Sequence, residues 1–198
     1  MATKKVEIQQ QETVFDDHGF KIQAATLRFE KFNGHMSEPI RRLVFERGDS
    51  AAAILLNRDT QKVLLIEQFR YPTYAKGPGW IREVVAGIID ENEQPEACIR
   101  REIHEEIGYQ VDKLQPIATF YVSPGSTSER IMLYYAEVGN ADRVAAGGGL
   151  TSEHEDIELV EVTLPDLWQA LDNGEISDAK TLIAAQWLHM RYILINID

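Results

Sequence analysis

The sequence predicts an α/β fold in which a mixed β-sheet carries helices on both faces, preceded by a small antiparallel β unit. Three observations lead to this fold. Short apolar runs bounded by turn residues recur from residue 51 onward and indicate strands. One helix with an apolar stripe is predicted at residues 95–107, between two of these runs. Two further helices are predicted at residues 165–172 and 178–195.

Residues 1–47 predict a separate β unit. Strands are expected at residues 13–15, 20–32 and 40–45, and the polar residues 1–12 are expected to be frayed. In the second strand the alternation of apolar side chains changes phase at Ala24 and Ala25, which favours a bulge or a strong bend there. Three short strands cannot bury both of their faces. We therefore expect this unit to pack against a second copy of the chain in a homodimer.

Residues 48–198 are expected to form the main domain. Its strands are predicted at residues 51–57, 63–70, 80–89, 114–122, 130–138 and 156–164. Residues 71–79 contain two prolines and two glycines, which predicts a loop. Residues 140–155 include three consecutive glycines and predict a long flexible loop, of the kind that often closes over an active site.

Charge and cysteine content exclude several classes of protein. The formal net charge of −12 at pH 7 argues against nucleic acid or a membrane surface as the main partner. An anionic substrate would need a local basic pocket or a metal ion. The single cysteine, Cys98, excludes an intrachain disulfide and indicates a reducing compartment. There is no signal-peptide pattern and no apolar run of the ~18–20 residues that cross a bilayer, so we predict a cytoplasmic protein.

The helix at residues 95–107 gathers acidic side chains beside its apolar stripe. The stripe consists of Ile99, Ile103 and Ile107, and the acidic flank consists of Glu102, Glu105 and Glu106. Carboxylates that leave water need a cation or a raised pKa. A hard divalent ion, Mg²⁺ or Mn²⁺, suits a site built from oxygen donors. The alternative is a solvated acidic face paired with Arg100 and Arg101.

Residues 87–109 resemble the Nudix box. Gly87 is followed after five residues by Glu93, and after seven more by the run REIHEEIG at 101–108. Every fixed position of that motif is filled, and only Tyr109 stands where the family usually has an aliphatic residue. The resemblance implies the Nudix α/β/α sandwich and a divalent metal held against a diphosphate. It implies structural roles for Gly87, Glu93, Arg101 and Gly108, with Glu93 paired to Arg101.

The chain also looks like the ADP-ribose pyrophosphatase subfamily over nearly all of residues 13–195. The run SPGSTSER at 123–130 follows the box, and EHEDI at 153–157 resembles the subfamily's catalytic loop. The resemblance implies Mg²⁺-dependent hydrolysis of a nucleotide sugar, ADP-ribose, to AMP and ribose 5-phosphate. It also implies a homodimer that exchanges its N-terminal strands.

The same resemblance assigns site residues. The implied metal ligands are Ala86 through its backbone carbonyl, Glu102, Glu106 and Glu155, with Glu105 contributing from the same helix. The implied catalytic carboxylates are Glu105, Glu153 and Glu155. Between Glu153 and Glu155 the duty of the base stays open, and both could instead be solubility residues of a loop.

Four residues are candidates for substrate binding: Arg42, Arg70, Pro124 and Glu129. Guanidinium groups suit phosphate oxygens, and both arginines match subfamily residues that grip the diphosphate. Glu129 matches a residue that accepts hydrogen bonds from the distal sugar. The alternatives are exposed ion pairs for the arginines and a salt bridge from Glu129 to Arg130.

Two rival functions stay open at this point. The run 145–149 together with EDIE at 155–158 also resembles the Nudix enzymes that hydrolyse GDP-mannose. A non-catalytic sensor that binds ADP-ribose is the other alternative, and loss of box glutamates would favour it. None of those glutamates is lost here.

Overall fold

The structure is a computed structural model that describes residues 3–17 and 19–195, with Ile195 described by its backbone only. The chain divides into two units. The first comprises the described residues up to Asp49 together with Tyr121–Arg130, and the second comprises Ser50–Phe120 and the described residues from Ile131 onward. A division by sequence into residues 1–47 and 48–198 does not separate out Tyr121–Arg130, because a loop carries no local signal of the unit with which it packs.

The first unit contains an antiparallel sheet of three strands in the order β1 (Val6–Asp17), β2 (Phe20–Phe29) and β3 (Ile40–Glu46). The expectation that residues 1–12 are frayed is wrong from Val6 onward, because pairing with β2 satisfies the backbone of this polar stretch. The register irregularities lie in the pairing of β1 with β2, whereas β2 pairs with β3 in unbroken register. The predicted bulge therefore falls in the neighbouring strand.

The second unit is built on a mixed sheet of seven strands, and the main path runs β10-β5-β4-β9-β8. The strands are β4 (Ser50–Asn57), β5 (Lys62–Phe69), β6 (Trp80–Glu83), β7 (Val85–Ile88), β8 (Gln115–Tyr121), β9 (Arg130–Val138) and β10 (Glu158–Thr163). Strand β4 pairs in parallel with β9, and its pairing with β5 and β7 is antiparallel. The predicted strand at 80–89 is split at Val84, because the Val84 N–H donates to the Thr181 hydroxyl, 2.8 Å away.

Helices cover both faces of this sheet, which confirms the predicted α/β/α sandwich. They are α1 (Tyr71–Tyr74), α2 (Pro95–Ile107), α3 (Leu164–Asp172) and α4 (Ala179–Ile195). Alternate residues of β5 point to opposite faces. Leu64 and Ile66 pack in the core under α2, and Val63 and Leu65 pack in the core under α3 and α4. Among the described residues, no helix is long and apolar enough to cross a membrane.

Candidate active site

Helix α2 presents the predicted acidic flank with the bounds that the sequence indicated, Pro95–Ile107. Pro95 occupies the first turn, where a missing N–H costs nothing. Gly108 ends the helix in the left-handed conformation, at φ 76°, and its N–H donates to the carbonyls of Ile103 and His104. A Cβ at this position would lie 2.1 Å from the carbonyl oxygen of Ala145. Both the left-handed backbone conformation and the close approach of the Ala145 backbone therefore require glycine here.

Glu106 is the most deeply buried carboxylate of the flank, with 2% of its surface exposed. It accepts one hydrogen bond from the Ala86 N–H, at 3.3 Å. Burial, followed by the negative charges of Glu102 and Glu155, raises the pKa of Glu106 well above its usual range. The Ala86 N–H and the charge of Arg70 oppose this rise in the pKa. The structure thus places the amide of Ala86 against Glu106, while the role predicted for its carbonyl stays a prediction.

Glu102 lies against the backbone of Gly87. A Cβ on Gly87 would lie 1.8 Å from Oε1 of Glu102, so a larger residue here would displace this carboxylate from its present position. Burial raises the pKa of Glu102 to about 7, Arg101 opposes the rise, and the charges of Glu105 and Glu155 add to it. Glu102 and Glu106 thus lie close enough to the charge of Glu155 for it to raise their pKa values, which is the convergence expected of a cation site.

Arg101 connects the box loop to the acidic flank. Its Nε and Nη2 atoms each donate to the Glu93 carboxylate at 3.1 Å, and this contact lowers the pKa of Glu93. Its Nη1 atom donates to Glu102 at 2.7 Å and to Glu105 at 3.1 Å. The implied Glu93–Arg101 pair and the alternative of an acidic face paired with Arg101 are thus both present. Arg100 instead donates to the carbonyls of Val111 and Asp112.

The glycine-rich part of the segment 140–155 is tied to the end of helix α2. The Gly148 N–H donates to the carbonyl of Glu106 at 2.8 Å, and the Gly149 N–H donates to the carbonyl of Glu105 at 3.0 Å. Gly147, Gly148 and Gly149 all have positive φ, from 75° to 106°. These bonds satisfy carbonyls that the last turn of a helix leaves without partners. This part of the segment is therefore bonded to helix α2, and the flexibility expected of residues 140–155 stays a prediction.

Two glutamates follow the glycine run, and the structure treats them differently. Glu155 is partly buried, lies against Gly149, and accepts a hydrogen bond from the Leu150 N–H at 2.9 Å. Its charge raises the pKa of Glu102 and of Glu106. Glu153 is exposed at the end of a short 3₁₀ turn, Thr151–Glu153. Its carboxylate forms no hydrogen bond or ion pair with the described residues, so only Glu155 belongs to the cluster.

The donor set of this cluster fits a hard divalent ion. Within residues 3–17 and 19–195, no three His, Cys, Asp or Glu side chains already form a cage for a metal ion. Glu102, Glu106 and Glu155 nevertheless supply carboxylate oxygens at mutually unfavourable positions, and the first two have raised pKa values because they are buried. A divalent cation would remove that penalty, and oxygen donors are the ligands that Mg²⁺ and Mn²⁺ prefer.

Arg70 follows strand β5 and is the positive charge in this region that acts on Glu106. Its Nε donates to Oε1 of Glu83 at 2.6 Å, and its side chain is 41% exposed. Glu83 also accepts a hydrogen bond from the Nζ of Lys180. Reasoning from sequence missed Glu83 and Lys180. The available signal was a charged residue inside the predicted strand 80–89, where a side chain is expected to be buried.

Arg42, Pro124 and Glu129 belong to the first unit. Arg42 is exposed on β3, and Pro124 is exposed in the turn that follows Ser123. Glu129 is buried, and one of its carboxylate oxygens lies 3.8 Å from Nε of Arg47. Arg130, the partner considered for Glu129 in the alternative, pairs with Asp49 at 2.6 Å.

Comparison with known proteins yields one family. Residues 46–184 match the NUDIX domain. The chain is 39% identical over 178 residues to the GDP-mannose pyrophosphatase of Citrobacter koseri, which covers 89% of this chain and 91% of that protein. It is 38% identical over 190 residues to the ADP-ribose pyrophosphatase of Escherichia coli strain K12, which covers 94% of this chain and 89% of that protein.

A solved structure described as an ADP compounds hydrolase shares the fold. The two superpose with a TM-score of 0.72 over 96% of this chain and 98% of the other, at 18% sequence identity. At that identity the likeness concerns the fold alone.

Proposed function

Because the chain belongs to the NUDIX family and is a Nudix pyrophosphohydrolase, we propose that it hydrolyses the diphosphate bond of a nucleoside diphosphate sugar with Mg²⁺. The substrate that we propose first is ADP-ribose, which gives AMP and ribose 5-phosphate. The observation that carries this proposal is the buried Glu106, whose pKa is raised by burial and by Glu102 and Glu155. A cluster of this kind is stabilised by a cation, and a cation is what a diphosphate needs before water can attack it.

In the proposed reaction the oxygen of water attacks one phosphorus of the diphosphate. The phosphoanhydride P–O bond breaks, the water proton passes to a carboxylate, and two phosphate monoesters leave. When bound, the divalent ion supplies positive charge to the diphosphate oxygens and to the leaving phosphate. We propose Glu102, Glu106 and Glu155 as its ligands, assisted by the carbonyl of Ala86 and by Glu105. In the same scheme Arg42 and Arg70 bind the diphosphate, and Glu129 and Pro124 contact the sugar side.

We propose Glu153 as the residue that deprotonates or positions the attacking water. Its carboxylate is exposed and forms no bond with the described residues, whereas that of Glu155 accepts the Leu150 N–H. Glu153→Gln is expected to lower kcat by about 100-fold, within the range for removal of a general base, with KM little changed. Ser152→Ala, in the same exposed turn, is the matched control and should leave both constants unchanged. A rise in KM alone would reassign the residue to substrate binding.

An activity assay with three candidate substrates tests which nucleotide sugar the enzyme prefers. ADP-ribose, GDP-mannose and NADH are compared at equal enzyme concentration with Mg²⁺, and again with Mn²⁺. The highest kcat/KM on ADP-ribose with Mg²⁺ supports the proposal. The relative named GDP-mannose pyrophosphatase makes GDP-mannose the second candidate, and a preference for it would replace ADP-ribose. Similar values for all three would indicate a generalist, and no hydrolysis of any would refute the proposed function.

We further propose a cytoplasmic homodimer in which the N-terminal strands are exchanged. All residues of β1 are exposed, including Val6, Ile8, Val14 and Phe15 from both faces of the strand. An edge strand with apolar side chains exposed on both faces favours a second copy as its cover. The chain mass is 22.5 kDa. Sedimentation equilibrium should therefore give twice that mass, and a monomer at micromolar concentration would contradict the proposal.

A further inference from the structure

A network of four charged side chains runs from strand β6 to the start of helix α4. Glu83 is 3% exposed, and its two carboxylate oxygens have different partners. Oε1 accepts from Nε of Arg70 at 2.6 Å, and Oε2 accepts from Nζ of Lys180. Lys180 is also buried and lies 3.2 Å from Oδ1 of Asp178. Two positive and two negative groups thus alternate, and the formal charge of the network is zero.

Stability alone does not explain such a network. Removing two ions from water costs several kcal/mol each, so a buried ion pair is often no more stabilising than an apolar pair of the same volume. What a buried pair supplies is a fixed geometry, because each partner holds the other at a defined distance and angle. The side chain whose geometry is fixed here, and which also reaches the surface, is that of Arg70.

Arg70 is held by one edge of its guanidinium and is free at the other. Its Nε is bonded to Glu83, and its two Nη groups donate no hydrogen bond to any residue that the structure describes. A guanidinium carries five N–H donors, so four of them remain available for phosphate oxygens. The charge of Arg70 acts on Glu106 across the same part of the second unit. Glu83 lies three residues before Ala86, whose N–H donates to the Glu106 carboxylate. The segment that holds Arg70 therefore also contacts the acidic cluster.

We propose that Glu83 and Lys180 are positioning residues that orient Arg70 toward the diphosphate of the substrate. Lys180 holds one oxygen of Glu83, which prevents rotation of the carboxylate, and the other oxygen then fixes Nε of Arg70. The two Nη groups are left facing the ligand with little rotational freedom to lose on binding. This inference rests on the proposed function, since it takes a diphosphate as the ligand of Arg70.

The first test separates binding from turnover with the nucleotide sugar on which the wild type is most active. Glu83→Gln should raise KM about tenfold with kcat within about twofold, because a uniform binding interaction is weakened. Lys180→Met should give a smaller rise in KM, and Lys180→Arg should restore it. The matched control is Glu67→Gln, which removes a neighbouring ion pair of the same length, Arg82 to Glu67 at 2.6 Å, and should leave KM unchanged. Equal effects of Glu83→Gln and Glu67→Gln would overturn the proposal.

The second test asks whether Glu83 acts through Arg70. In an Arg70→Ala background, Glu83→Gln should have no further effect on KM, whereas a purely structural role would give additive effects. Binding of inorganic pyrophosphate, measured by calorimetry, supplies a readout that does not depend on turnover. If the wild-type protein hydrolyses no nucleotide sugar, the proposed function is refuted but this inference is not. Circular dichroism checks that the Glu83→Gln variant is folded. If that folded variant binds pyrophosphate as tightly as the wild type, this inference is refuted but the proposed function is not.

Discussion

Glu83 and Glu106 are both almost completely buried, but the charges of their neighbours have opposite signs. Glu83 is held between two cations, Arg70 and Lys180. Glu106 has one backbone N–H as its partner and two carboxylates, Glu102 and Glu155, as its electrostatic neighbours. The first carboxylate is neutralised by cations of the chain itself, whereas in the proposed site the second is neutralised by a bound metal ion. The partners of a buried charge, rather than its burial, therefore distinguish scaffold from site.

The largest expected effect is on turnover. Glu106→Gln keeps the shape of the side chain and removes its charge, so kcat/KM should fall about 1000-fold, or roughly 4 kcal/mol of transition-state stabilisation. The free energy of unfolding of the metal-free protein should be unchanged or higher, because an unfavourable buried charge is gone. Steady-state kinetics and urea unfolding measure the two quantities. Wild-type activity would remove Glu106 from the metal site.

The other side of the comparison is tested by Lys180→Met. This change leaves Glu83 buried with one cation, and the free energy of unfolding should fall by about 3 kcal/mol, at the lower end of the range for breaking a buried pair. Lys62→Met is the control, because Lys62 pairs with Glu161 at 3.1 Å on the exposed surface, and its loss should cost about 0.5 kcal/mol. Similar losses for the two variants would mean that burial of Glu83 carries no penalty.

The pH dependence of stability sharpens the comparison further. Glu102 has a pKa of about 7 and Glu106 a pKa well above its usual range, both higher than in an unfolded chain. Their contribution to stability is therefore full below the usual carboxylate pKa. It is lost for Glu102 as pH rises through about 7, and for Glu106 as pH rises through its own raised pKa. Added Mg²⁺ should raise Tm by a few degrees at pH 8 and by much less at pH 5. An equal shift at both pH values, or the same shift in Glu106→Gln, would contradict this assignment.

The smallest effect concerns a neutral buried group. Gln68 is 5% exposed on β5, and its Nε2 atom has no hydrogen-bond partner in the part of the chain that the structure describes. Gln68→Met should raise the free energy of unfolding by about 1 kcal/mol, since an unpartnered buried donor is removed. Gln186→Met on the exposed face of α4 is the control and should change stability by less than about 0.5 kcal/mol. A loss of stability in Gln68→Met would show that the amide has a partner in solution.

Local patterns accounted for most of the fold and for one part of the site. The bounds of α2 follow from Pro95, Gly108 and an uninterrupted helical composition, and strand β9 follows from one apolar run. The three carboxylates of α2 share a flank because the helical repeat is a property of the chain alone. Register and pairing depend on distant residues, so the irregularities of β1 and the split at Val84 were not predicted.

The sequence by itself determined which acidic side chains stand together on one helix and where that helix begins and ends, because both depend on neighbours within a few residues. Only the tertiary structure decided how each acid is satisfied. The charge of Glu155, almost fifty positions further along the chain, acts on Glu106. Glu83 forms an ion pair with Lys180, 97 positions away. Burial and ion pairing are set by such contacts, and no local pattern records them.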